Sequence, residues 1–292
     1  MTIKLITDST CDLSIEYIKE NNITVIPYIY QLDGKDYEDD FGKSMSYNDF
    51  YKEMDNGKMP TTSQITTYTF ENHFKKYINN GDSIIYIGFS SQLSQTFNNA
   101  IMAKRNLLNE NSLIDLTIID SKSAAAGQGL LVYYVNELVK ADKSKEEIID
   151  WIDTNLQKIN IWFTVDNLEH LKRGGRISSL NAKLGNMLQI KPLLYVDSKG
   201  ALNLAKKIRG KKKFRHILVS EIEKKIVNPK RQTILISHAH CIENAEELKK
   251  LVIEKFNVKE VIINDLTPII GTHVGPGNLT ICFLGDNRDI VK

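Results

Sequence analysis

Short apolar runs of strand character alternate with helical segments along the first half of this chain, and that alternation constrains its fold more than any other feature. The runs are "IKLIT" (3–7), "TVIPYIY" (24–30), "SIIYIG" (83–88) and "LTIID" (116–120). Between them lie "SIEYIKEN", "SYNDFYKEM", "TYTFENHFKKYI" and "LSQTFNNAIMAKRNLL", whose apolar residues recur at helical period. Strand followed by helix, repeated, predicts a parallel sheet covered by helices. Sheets of that kind bind ligands in the loops beyond the carboxyl ends of their strands. Three polar clusters fall in such loops: "TDSTCD" (7–12), "FSSQLS" (89–94) and "DSKSAAAG" (120–127).

After the helical stretches "GLLVYYVNELVKA" and "SKEEIIDWIDTNLQKI", a second series begins with "IWFTV" (161–165). It continues through "IKPLLYV" (190–196), "ALNLAKKI" (201–208), "TILISH" (233–238), "VIIND" (261–265) and "LTICFLG" (279–285). The segment "YVDSKGALNLAKK" reads as a hairpin turning at Asp197 to Gly200, which makes this second sheet mixed. The expected fold class is therefore α/β with two domains. Residues 1–160 carry a parallel sheet, and residues 161–292 carry a mixed sheet with helices.

A chain of 292 residues suits two such domains, and 42% hydrophobic with 25% charged residues is ordinary globular composition. The net charge of +2 supplies no global attraction for nucleic acid. No basic-plus-apolar leader precedes Lys4, and no apolar run approaches bilayer-spanning length, so a cytosolic location is expected. Cys11, Cys241 and Cys282 are odd in number and scattered, and reduced thiols are expected.

Three motifs could carry chemistry. Gly88-Phe89-Ser90-Ser91-Gln92 begins like the G-x-S-x-G nucleophile elbow but ends in Gln, so a serine hydrolase would need Ser94 and a distant His273 to assemble. The plainer reading is that Ser91 or Ser94 caps the following helix, and a helix N-terminus among hydroxyls also suits an anion. "MPTTSQIT" (59–66) is a second hydroxyl cluster, held extended by Pro60 before a helix that begins near Tyr68. "GTHVGPGNLT" (271–280) sets His273 among glycines that let backbone approach a ligand closely.

Three other groupings are weaker. "RGGRISSL" (173–180) offers two arginines without a phosphate-loop signature. "KKIRGKKKFR" (206–215) is a basic run that reads first as a solvated face and second as a docking patch. "SHAHC" (237–241) has HxH spacing but no evident further ligands, so no metal is expected there. Asp8, closing the first strand, reads as a cap rather than a cation ligand.

In this order, "TDSTCDL", "TTSQ" (61–64), "SSQLSQTFNNA" (90–100), "DSKSAAAGQG" (120–129), "LKRGGRISS" (171–179), "IKPLL" (190–194) and "HVGPG" (273–277) resemble the DegV family of bacterial fatty-acid-binding proteins over essentially the full length. The resemblance implies a long-chain fatty acid held in a tunnel between two α/β domains, with its carboxylate on Thr62, Ser94 and His273. It implies no enzyme activity of the chain's own and no cofactor. The partner implied is a separate ATP-binding fatty acid kinase subunit that converts the carboxylate to acyl phosphate for phospholipid synthesis, with Arg173, Arg176 and Arg209 serving its docking or neutralising nucleotide phosphates. The family usually has Gly where this chain has Gln95, which is expected either to narrow or cap the pocket mouth or to change the turn.

Overall fold

The computed structural model describes residues 2–177, 190–210 and 213–288. Ser178, Ser179 and Leu180 of the arginine-glycine motif, and Lys211 and Lys212 of the basic run, lie outside the described residues.

The first sheet is parallel, in the order β2-β1-β6-β7, from β1 (Ile3–Asp8), β2 (Thr24–Ile26), β6 (Ser83–Gly88) and β7 (Leu116–Asp120). Every residue of β6 is buried, as a strand covered on both faces requires. Helices Thr67–Ile78 and Thr96–Glu110 lie between successive strands and pack on each other. Thr66 starts the first of these by accepting a hydrogen bond from Thr69 N at 3.2 Å.

One expected strand is two. "TVIPYIY" breaks at Pro27-Tyr28: β2 stays in the parallel sheet, and β3 (Ile29–Leu32) joins a separate antiparallel sheet with β4 (Lys35–Glu38) and β5 (Thr61–Ser63), ordered β4-β3-β5. Pro27 has no N–H to give a ladder, so the chain leaves one sheet there and enters another. Neither β4 nor β5 was expected; each is short and largely exposed, with no apolar alternation to reveal it.

The six-stranded mixed sheet runs β10-β9-β8-β13-β11-β12, from β8 (Ile159–Thr164), β9 (Ile190–Val196), β10 (Leu202–Arg209), β11 (Thr233–His238), β12 (Glu260–Asp265) and β13 (Leu279–Leu284). Only β11 and β12 pair in parallel, joined through helix Ile242–Phe256. The β9–β10 hairpin turns as expected, with Asp197 Oδ1 accepting from Lys199 N at 3.0 Å and Ala201 N at 2.9 Å.

Helix Ala126–Lys140 packs against strands of both large sheets, and its residues from Ala126 to Tyr133 are all buried. Two glycines permit this. A Cβ on Gly127 would lie 2.5 Å from Ile161 Cγ1, and one on Gly129 would lie 2.2 Å from the Cys11 carbonyl oxygen. One core therefore runs continuously from Leu5 and Ile85 of the first sheet to Leu235 and Cys282 of the second. Asp8 is buried at the end of β1, where it accepts from Thr10 N at 3.2 Å, Tyr86 Oη at 2.8 Å, Phe89 N at 3.1 Å and Gln128 Nε2 at 3.1 Å. It is a cap and an anchor for the loop after β6.

Candidate functional site

That loop carries the three serines, and each does something different. Ser90 is fully buried and donates to the Gly200 carbonyl at 2.9 Å, tying the loop to the β9–β10 hairpin. Ser91 donates to Asp120 Oδ2 at 2.6 Å instead of capping the helix. Ser94, one residue before the N-cap Gln95, accepts from Thr96 N at 3.2 Å and donates to Thr96 Oγ1 at 3.0 Å; it shapes the approach to the helix, whose cap position has no side-chain hydrogen bond. Of the three, Ser94 alone lines the cavity described next.

The cavity holds about 690 Å³ of empty space, part of it open to solvent. It is a narrow slot. Phe89, Leu93 and Ala124 from the loops beyond β6 and β7 face Ile161, Phe163 and Val196 of the mixed sheet across it. Its polar lining includes Thr62, Ser94, Arg176 and His273, three of which were expected to act together from sequence. A second, more polar cavity adjoins it, lined by Ser91, Gln92, Gln95 and Gly175, and shares Leu93, Ser94, Arg176 and Leu202 with the slot. Gln95 thus belongs to a vestibule outside the slot, with its Oε1 held by Asn98 Nδ2 at 2.6 Å.

His273 sits in helix Pro268–Val274, with its Nε2 3.0 Å from Thr62 Oγ1 on β5. Its Nδ1 is buried without a partner and faces Gly174, where a Cβ would lie 2.4 Å from it. Burial, then the nearby Arg176 and Arg173 charges, pull its pKa down to about 4, so the ring is neutral at pH 7. A buried acceptor without a partner is better tolerated than a buried N–H without one. We therefore assign the proton to Nε2, donated to Thr62 Oγ1; this leaves the Thr62 hydroxyl proton to point elsewhere.

Arg176 is half-buried, donating Nε to the Leu93 carbonyl at 3.2 Å and Nη1 to the Gly174 carbonyl. Burial lowers its pKa, and no carboxylate among the described residues forms an ion pair with it. A cation so placed, where slot meets vestibule, suits an anion arriving from solvent.

The remaining sequence candidates are dispersed. Arg173 ends helix Glu169–Arg173 and is exposed. Arg209 is exposed at the far end of β10 from Leu202, about 23 Å along the strand, and does not join the cluster. In the basic run, Lys206 pairs with Glu221 and Arg215 with Glu247. In "SHAHC", His238 Nε2 lies 3.6 Å from Asp265 Oδ1 and Cys241 Sγ lies 3.2 Å from the Asn278 carbonyl, and no metal-binding group of three ligands occurs among the described residues. Cys11, Cys241 and Cys282 are buried free thiols. Among the described residues no hydrogen bond joins Ser94 to His273 and no carboxylate orients the ring, so the serine-hydrolase constellation is not assembled. No helix among the described residues is long and apolar enough to cross a membrane.

Sequence reasoning missed Tyr28, which also lines the slot. It sits inside what reads as an ordinary strand, and no local pattern marks it.

A family model described as "uncharacterised protein, DegV family" matches residues 2–286. A DegV domain-containing protein of Clostridium perfringens is 42% identical over 285 residues, covering 98% of each chain. The crystal structure of DegV, a fatty acid binding protein from Bacillus subtilis, superposes with a TM-score of 0.81 at 28% identity, covering 98% of this chain and 100% of that one. The Streptococcus pneumoniae fatty acid kinase (Fak) B3 protein loaded with linoleic acid shares the fold, with a TM-score of 0.84 at 23% identity over 98% of this chain and 100% of that one. By sequence along nearly its whole length and by fold, the chain belongs to the DegV family.

Proposed function

We propose that this protein binds a long-chain fatty acid with its tail in the slot, which serves as a tunnel between the two domains, and its carboxylate at the polar mouth. There it presents the carboxylate to a separate ATP-binding kinase subunit for acyl-phosphate formation. The observation that carries the reading is that Thr62, held against His273, and Ser94 line one largely apolar slot. The fatty-acid binding named for the Bacillus subtilis relative supports it.

The two ends divide the work. A tail of about sixteen carbons buries roughly 12 kcal/mol of gross hydrophobic free energy before the costs of association. That can hold the lipid without a salt bridge beneath the head group. The Thr62 hydroxyl, oriented by neutral His273, and the Ser94 hydroxyl, turned from Thr96 Oγ1 when ligand is bound, donate to the carboxylate as neutral groups. Neutral donors keep the oxygens nucleophilic toward an incoming phosphoryl group, where a full ion pair would hold the ground state back. Arg176, given first to kinase docking by the family resemblance, faces the vestibule and the head group together, and serves to offset phosphoryl charge. Docking falls to the exposed Arg173 and Arg209.

Denaturing extraction of the purified protein followed by mass spectrometry should yield a stoichiometric fatty acid. Empty protein that also fails to take up added fatty acid would overturn the reading. With ATP and the kinase subunit, acyl phosphate should form only when both proteins are present.

A further inference from the structure

We propose that Tyr28 is an additional head-group donor, and that its hydroxyl makes the site prefer a carboxylate to an uncharged head on the same tail; the inference rests on the reading of the slot as a fatty-acid site. The phenol lines the slot as a donor that no hydrogen bond within the described residues accounts for. Tyr28 is 3% exposed, and its Oη makes no hydrogen bond of good geometry with any described residue, its approach to the Ser94 and Thr96 hydroxyls falling short of one. Buried hydroxyls are normally paired, and an unpaired one costs free energy. Yet the hydroxyl lies beside the Ser94 and Thr96 side chains and within the field of Arg176.

The backbone fixes it there. Tyr28 N donates to Ser9 Oγ at 3.1 Å, and the Tyr28 carbonyl accepts from Asp39 N at 2.9 Å, so the residue is clamped as the chain crosses from β2 to β3. Its ring meets Phe89 edge-on, with centroids 6.5 Å apart at 78°. A Phe at this position would keep the packing and spare the unpaired hydroxyl. Burial pushes the phenol pKa well above its ordinary value, so Oη keeps its proton and can only strengthen an acceptor.

An ionised carboxylate is acceptor-only, with room for about four hydrogen bonds. Ser94 and Thr62 supply two, Arg176 stands at the mouth, and Tyr28 supplies another. A fatty alcohol must place its single oxygen among the same donors and cannot accept from all of them. Sites built to hydrogen-bond a substrate group discriminate against analogues that leave their donors unpaired.

The test is binding of a fatty acid and of the fatty alcohol of equal chain length to delipidated wild-type and Tyr28→Phe protein, by calorimetry. Tyr28→Phe should bind the acid roughly ten- to a hundredfold more weakly and the alcohol with unchanged affinity. The thermal midpoint of the lipid-free variant should match or exceed that of wild type, because an unpaired buried hydroxyl has been removed. Equal weakening for both ligands would make Tyr28 a packing residue and overturn the inference, as would unchanged affinity for both. Wild-type protein that binds neither ligand would overturn the proposed function itself, a result distinguishable from either of these.

Discussion

One wall of the slot is sheet: Ile161 and Phe163 of β8 and Val196 of β9 project from adjacent strands and are part of the continuous core. The mouth is built the other way. Thr62 comes from a three-residue strand, Ser94 from a loop, Arg176 from just beyond a helix end and His273 from a seven-residue helix. The wall can stabilise the fold and bind a tail with the same side chains. Among the described residues the mouth contains groups that cost the empty protein something: an imidazole nitrogen and a phenol without a well-formed hydrogen bond, and a cation without a counter-ion. Changes to the wall should therefore appear mainly as stability, and changes to the mouth mainly as ligand recognition.

The sharpest way to break that contrast is Phe163→Ala. Phe163 is 5% exposed and belongs both to the core and to the slot, so lipid-free protein should lose about 3–5 kcal/mol of unfolding free energy in urea titrations. Part of the loss should return with bound lipid, because a tail refills the space and binding stabilises the native state. A loss below about 1 kcal/mol would mean that the wall is dispensable to the fold.

Acid should expose the cost carried by the mouth. The unfolded chain protonates a histidine as pH falls through about 6.5, whereas folded His273 resists until about 4. The stability that depends on its neutrality is thus complete above pH 6.5 and is lost as pH falls through that window, about 3 kcal/mol in full. Comparing wild type with His273→Gln isolates this ring from the other groups that titrate. The variant should lose less stability between pH 7 and pH 4.5, and parallel curves would place the ring in solvent contact.

Thr62→Val keeps shape and removes the hydroxyl that His273 orients. Fatty-acid affinity should fall by about 1.5–3 kcal/mol, the value of a hydrogen bond to a charged group, and urea stability by about 1 kcal/mol, the low end of the cost of leaving the His273 Nε2–H without its acceptor. If stability fell more than affinity, the mouth would be structural in the same sense as the wall.

The same contrast explains what could be read from the sequence. The two large sheets were legible because period-two and helical patterns are local, and burial on both faces leaves runs such as "SIIYIG" unmistakable. The β3–β5 sheet was not, because its strands are short, its apolar pattern weak, and Pro27 hides the crossing between sheets. Thr62, Ser94 and His273 were found through motif resemblance, whereas the contact between Thr62 and His273 spans 211 residues that no periodicity links. Arg176 was grouped with Arg173 and Arg209 for the kinase and its phosphates, since sequence does not say which arginine of "RGGR" lines the slot. Tyr28 carried no motif at all, only an aromatic residue in an apolar run.

The smallest expected effect tests the mouth through a residue that lines neither its polar cluster nor the slot. Gly174 has ordinary backbone angles, φ −69° and ψ −11°, so alanine is free of backbone strain there. Its added Cβ would nevertheless lie 2.4 Å from His273 Nδ1. The ring must give way, and the direction open to it changes the Nε2 contact with Thr62. Gly174→Ala should cost about 1–2 kcal/mol of stability from overpacking and weaken fatty-acid binding by a few-fold. Combined with Thr62→Val it should add little further loss of affinity, because both changes act on the same hydroxyl. Additive losses in that double variant would show that Gly174 acts on the mouth by another route, through the Arg176 guanidinium that its carbonyl accepts from.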